Sequence, residues 1–120
     1  MITDTVGFVG LGNVGEKLAN NLINKRKKLF IFDEKKNTYK KFKNKNIIIC
    51  NNLEELAYHS KIIITCLPSP KSVNNVIRTL LPHINKYHLW IEMSTTDKDE
   101  MIRLSKIFKS KGGKVLESPI

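Results

Sequence analysis

Cysteine is scarce in this sequence: Cys50 and Cys66 are the only two, far apart and in apolar surroundings. Such a pair cannot build a disulfide framework, so a reducing, cytoplasmic compartment is the expectation. Long hydrophobic stretches are missing too. Runs such as Ile47-Ile48-Ile49 and Ile62-Ile63-Ile64 fall far short of the ~20 residues that a membrane-spanning helix needs, which leaves no membrane role. Strand-like sequence begins by Thr5, leaving no room for a signal or transit peptide, and none is expected. Arginine is the third shortage. The chain has 21 basic against 11 acidic residues, a net charge of +10, yet only Arg26, Arg78 and Arg103 are arginine. Base-specific readout favours the arginine fork, so nucleic acid is not an expected partner. The lysines keep company with asparagine pairs such as Asn20-Asn21 and Asn51-Asn52, a bias that an adenine- and thymine-rich genome produces without any ligand. His59, His83 and His88 show no metal-ligand spacing, and no metal is expected. What remains is 120 residues with 41% hydrophobic content, enough for one domain with a core and too few for a two-domain enzyme.

Short apolar runs alternate with helical patterns, without internal repeats or a low-complexity linker. Thr5 to Val9 reads as a first strand, and Val14 to Lys25 as a helix with Val14, Leu18 and Leu22 on one face. Leu29 to Phe32 and Ile47 to Ile49 read as strands, with a short basic helix from Lys36 to Phe42 between them. Asn52 starts a helix, with Glu55 in capping-box spacing. Lys61 to Thr65 is a fourth strand. Ser69 and Pro70 suit the cap and first position of a helix carrying Val73, Val76, Ile77 and Leu80. His88 to Ile91, with Trp90 as core, is a fifth strand. Asp97 lies in a capping and acidic stretch before a helix buried through Met101, Leu104 and Phe108, and Gly112-Gly113 leads into a sixth strand, Lys114 to Leu116. Continuous apolar strands joined by amphipathic helices imply an α/β fold, a parallel sheet covered on both faces and doubly wound in three layers.

Gly10-Leu11-Gly12-Asn13-Val14-Gly15 follows a strand and opens a helix. Gly10 permits a tight turn, Gly12 lets a pyrophosphate approach the backbone, and Gly15 allows close helix–strand packing. The helix N-terminus then offers free N–H groups to phosphate. Asp33 ends the second strand, near where an acid accepts hydrogen bonds from ribose hydroxyls and disfavours the extra phosphate of NADP; a helix-capping role is its alternative. The segments Cys66 to Pro70 and Met93 to Thr96 also fall at strand carboxyl ends, where open α/β sheets bind ligands.

The chain resembles the N-terminal domain of the β-hydroxyacid dehydrogenases, the family of 3-hydroxyisobutyrate and 6-phosphogluconate dehydrogenases. The resemblance runs through Gly7 to Gly15, Leu18 to Leu22, Phe32-Asp33, Cys66-Leu67-Pro68, Ile91 to Thr95 and Leu116 to Ile120. It implies hydride transfer between a nicotinamide and a β-hydroxyacid. It also implies cofactor contacts at Leu67, Pro68, Ser72 and Thr95, with Ser94 toward the substrate. Val14 stands where methionine is usual, Glu92 and Glu117 where aspartate is, and Ser118 where alanine is. The rest of the substrate motif, the catalytic lysine and an all-helical domain would follow Ile120.

The sequence is therefore expected to be residues 1–120 of a longer chain, one NAD(P)-binding Rossmann domain, inactive alone, with NAD preferred over NADP. Its partners are expected to be a dinucleotide and, in the whole enzyme, a small β-hydroxyacid, with homo-oligomers formed through the missing domain. The rivals are a semialdehyde or glyoxylate reductase of the same superfamily, a lysine-rich nucleic-acid-binding module, and a stand-alone NAD sensor.

Overall fold

Val6, Gly7, Phe8 and Val9 are all buried, so the first strand has no solvent face and must lie inside a sheet covered on both sides. That is its place in the computed structural model, which describes residues 5–23, 28–42, 46–94 and 97–117. Six parallel strands, β1 (Val6–Val9), β2 (Leu29–Phe32), β3 (Ile47–Ile49), β4 (Ile62–Thr65), β5 (Leu89–Glu92) and β6 (Lys114–Glu117), form one sheet in the order β3-β2-β1-β4-β5-β6. Phe8 pairs with Ile31 on one side and Ile64 on the other, and Thr65 pairs with Glu92.

On one face lie α1 (Asn13–Ile23) and a 3-10 helix (Lys36–Lys41), over a core that includes Phe8, Leu11, Ile31 and Ile64. On the other lie α2 (Leu53–His59), α3 (Pro70–Leu80) and α4 (Lys98–Ser110), over Leu56, Ile63, Ile77 and Trp90. Trp90 is fully buried against Phe108, with ring centroids 5.4 Å apart. The three-layer, doubly wound α/β expectation is met.

The caps follow from residue type. Ser69 Oγ accepts the Ser72 N–H at 3.2 Å ahead of Pro70, and Asp97 Oδ1 accepts the Glu100 N–H at 3.0 Å. Asn52 Oδ1 accepts the Glu55 N–H at 2.8 Å, while Glu55 reaches back to the Asn51 N–H at 2.9 Å, one residue earlier than a capping box would.

Two expectations need correction. The buried face of α1 is Gly15, Ala19 and Ile23; Val14 is half exposed, and Leu18 and Leu22 only flank the core. A helix leaving a tight turn lies so close to its strand that the smallest residues must face inward. A Cβ on Gly15 would stand 2.1 Å from the Gly10 carbonyl oxygen. The fifth strand starts one residue late. His88 is buried ahead of it, where the Asn85 N–H donates to Nδ1 at 3.1 Å, leaving Nε2 to donate to the Ala57 carbonyl at 2.9 Å.

Candidate functional site

The turn after β1 sits at the topological switch, where the sheet order runs from β2 on one side to β4 on the other. Gly10 takes φ 97°, and a Cβ there would fall 2.2 Å from the Cys66 carbonyl oxygen. Only glycine fits both conditions. Gly12 is the reverse case: a Cβ there would meet nothing within 4 Å. It borders a cleft of ≈ 580 Å³ across the carboxyl ends of the strands. The cleft thus holds open backbone at Gly12 beside the start of α1, where the Asn13 and Val14 N–H groups precede the first intrahelical bond, from the Glu16 N–H to the Gly12 carbonyl. That is the space and the donor set that a pyrophosphate requires, so the residues fit a dinucleotide.

Gly10, Gly12, Val14 and Gly15 line one side of the cleft, and Asp33 with Lys35 lines the end nearest β2. Asp33 takes part in four hydrogen bonds. Its Oδ2 accepts the Leu11 N–H at 2.6 Å and its Oδ1 the Lys35 N–H at 2.8 Å. Tyr39 grips the same residue's backbone, its hydroxyl accepting the Asp33 N–H at 2.9 Å and donating to the Asp33 carbonyl at 3.0 Å. Burial raises the Tyr39 hydroxyl pKa and the Asp33 charge adds to the rise, against the lowering effect of the hydrogen bond to the Asp33 backbone.

The opposite wall comes from Leu67, Pro68 and Ser72 after β4, and from Met93 and Ser94 after β5. Ser94 is 3% exposed, and its Oγ accepts the Leu67 N–H at 2.6 Å. Glu92, fully buried, accepts the Ser94 N–H at 2.5 Å and the Thr65 hydroxyl at 2.8 Å. Cys66 borders the cleft with its thiol pKa raised by burial and by the Glu92 charge.

The structure thus brings Gly10, Gly12, Val14, Gly15, Asp33, Leu67, Pro68, Ser72 and Ser94 around one opening. Asn13 opens α1 beside it. Leu11 is the exception: its side chain is fully buried in the core and its N–H is taken by Asp33, so it supports the loop from beneath. Thr95 lies outside the described residues. Tyr39, Thr65 and the bridging role of Glu92 were not among the sequence candidates. An acid closing the apolar run Leu89-Trp90-Ile91 was the available signal for Glu92.

A larger opening, ≈ 730 Å³, lies at the amino ends of the strands and is bordered by His59, His83 and His88. It is remote from the glycine loop, and among the described residues no group of His, Cys, Asp and Glu could hold a metal ion.

Comparison with known proteins agrees with this geometry. The profile of the NAD binding domain of 6-phosphogluconate dehydrogenase matches residues 5–120. A probable mitochondrial 3-hydroxyisobutyrate dehydrogenase of Dictyostelium discoideum is 33% identical over 97% of this chain and 37% of its own length. The mitochondrial 3-hydroxyisobutyrate dehydrogenase of Drosophila melanogaster is 33% identical over 96% of the chain and 36% of its own. The fold matches that of Mycobacterium tuberculosis 3-hydroxyisobutyrate dehydrogenase, solved with L-serine, at a TM-score of 0.91 and 22% identity, covering 98% of this chain and 40% of that one. The chain spans little more than a third of the length of these two curated relatives.

Proposed function

The chain belongs to the family of NAD-binding domains found in 6-phosphogluconate dehydrogenase, and from that membership we propose that it is the cofactor-holding part of a dehydrogenase acting on a small β-hydroxyacid such as 3-hydroxyisobutyrate. The observation that carries this reading is the open backbone at Gly12, at the switch point and beside the start of α1. In it, Gly10, Gly12 and Gly15 shape the pyrophosphate seat, and the first-turn N–H groups at Asn13 and Val14 face the phosphates. Asp33 takes a ribose and prefers NAD to NADP. Leu67, Pro68 and Ser72 contact the cofactor, with Ser94 toward the substrate, and the contact near the nicotinamide end that the resemblance implies for Thr95 falls outside the described residues. The cofactor supplies the hydride acceptor; these residues bind it, orient it and exclude water around it.

The substrate class is inferred from the names of the relatives. Residues for proton transfer belong, on this reading, to a helical domain beyond residues 1–120, which would also form the subunit contacts. A cytoplasmic location is proposed on the free thiols of Cys50 and Cys66, although the Dictyostelium and Drosophila relatives are named mitochondrial. Among the described residues no helix is long and apolar enough to cross a membrane.

Calorimetry of the 120-residue protein with NAD tests the reading. Measurable binding that Gly12→Val abolishes supports it, because the added methyls fill the open space. Undiminished affinity in that variant removes the pyrophosphate assignment. Binding of RNA in place of NAD, falling steeply with salt, favours the nucleic-acid rival.

A further inference from the structure

Four hydrogen bonds, three of them fully buried, converge beneath the Leu67–Ser94 wall. Trp90 Nε1–H donates to Thr65 Oγ1 at 2.8 Å, and the Thr65 hydroxyl donates to Glu92 Oε2 at 2.8 Å. Glu92 Oε1 accepts the Ser94 N–H at 2.5 Å, and Ser94 Oγ accepts the Leu67 N–H at 2.6 Å. Thr65 and Glu92 are fully buried and Ser94 nearly so. A buried carboxyl group is costly unless donors satisfy it, and an apolar residue would pack there more cheaply. What the carboxyl group does that an apolar residue cannot is accept from two elements at once: the end of β4 through Thr65, and the loop after β5 through Ser94.

The placement of this chain of bonds matters for the ligand. With pyrophosphate on the glycine loop and one ribose at Asp33, the other half of a dinucleotide falls across the switch point, over the ends of β4 and β5. Leu67, Pro68, Met93 and Ser94 border the cleft there.

We propose that Glu92, acting through Ser94, is the positioning residue for the nicotinamide side of the cleft. It holds Ser94 so that its hydroxyl fixes the Leu67 N–H, and thereby sets the Leu67–Pro68 wall that the nicotinamide half would pack against. This inference rests on the reading of the cleft as an NAD site.

The test compares NAD with ADP-ribose, which lacks the nicotinamide ring, by calorimetry on the 120-residue protein. The parent binds NAD more tightly than ADP-ribose. Ser94→Ala weakens NAD roughly tenfold, the scale of a donor left unsatisfied, Glu92→Gln weakens it less because its amide oxygen still accepts, and both leave ADP-ribose binding unchanged. The double variant loses no more than the larger single loss, since one residue works through the other. Equal losses for both ligands would show a merely structural role and overturn the proposal. Unchanged NAD affinity in both variants, or a parent that does not distinguish the ligands, also overturns it while leaving the cofactor reading in place. A parent that binds neither ligand overturns the cofactor reading and the proposal with it. Should Glu92→Gln fail to fold, the NAD to ADP-ribose ratio of Ser94→Ala decides alone.

Discussion

The N–H of Leu11 donates to Asp33 Oδ2 across 2.6 Å, so the carboxylate that closes β2 also holds the glycine loop that leaves β1. Its other oxygen accepts the Lys35 N–H. A carboxylate offers about four acceptor positions, so two backbone donors leave capacity for ribose hydroxyls. Asp33 therefore does not cap the helix that follows it, the alternative role the sequence offered, and it keeps the acceptor capacity that the proposed ribose contact needs. The capped element is the loop beside it, since the 3-10 helix from Lys36 has no side-chain cap.

Substitution at Asp33 should act on both roles. In paired titrations at about 0.15 M salt, where charges beyond ~8 Å are largely screened, the parent prefers NAD and Asp33→Ser shifts toward NADP. Equal or tighter NADP binding by the parent counts against the ribose assignment. Asp33→Ala also strands the Leu11 N–H and should cost about 1–2 kcal/mol in urea denaturation, with Asp33→Asn milder because it keeps an acceptor.

The glycines should separate folding from binding. Gly15→Ala gains helix propensity of ~1 kcal/mol, yet its Cβ meets a backbone carbonyl that cannot step aside. A net loss of about 2 kcal/mol or more is expected in denaturant melts. Gly12→Ala adds a methyl to open space and should leave the melt where it was, while weakening NAD. A stable Gly15→Ala protein would mean that the helix does not lie as close to the strand as described.

Alkaline pH should weaken the fold through its thiols. Burial pushes Cys50 up to about 11 from an ordinary 9.0, and the Glu55 charge adds to it. The unfolded chain releases that proton first, so this contribution is intact below pH 9 and is lost as pH climbs through 11. The loss from Cys50 is no more than about 3 kcal/mol, with Cys66 and Tyr39 adding in the same direction. Urea midpoints across this range should fall, and Cys50→Ala should flatten the fall. An identical slope in that variant would assign the effect elsewhere.

The outer side of β6 has no strand beside it among the described residues, and Leu116 is 53% exposed. A parallel edge with an apolar side chain standing off it invites pairing with another copy. Light scattering should show concentration-dependent association in spite of the +10 charge. Leu116→Lys should reduce it. A clean monomer at high concentration would mean that the edge is protected.

How much was legible depended on range. α3 could be read whole, because its cap, its first-turn proline and its four buried residues all lie within one local pattern. The glycine loop could be read because each glycine answers to a neighbour a few residues away or to the strand just left. The inward face of α1 could not. Val14, Leu18 and Leu22 share the spacing of Gly15, Ala19 and Ile23, and only the closeness of the sheet selects the small set. The bonds made by Glu92 and Ser94 were hidden for a different reason. Thr65–Glu92 and Leu67–Ser94 are both separated by 27 positions, the offset at which β5 pairs with β4. That offset is a property of strand register, and no periodicity along the chain announces it. Tyr39 is nearer its partner, yet its two bonds go to backbone atoms, which sequence does not mark.

The strand order also carries a consequence for synthesis. Translation delivers β1 first, into the middle of the future sheet, and β2 and β3 then extend one flank. The other flank of β1 stays unpaired until β4 has cleared the ribosome, more than fifty residues later. For that interval Phe8 and Val9 belong to a half-sheet with one open central edge, so the nascent chain is most exposed to mispairing or chaperone capture at the strand that later becomes its most enclosed.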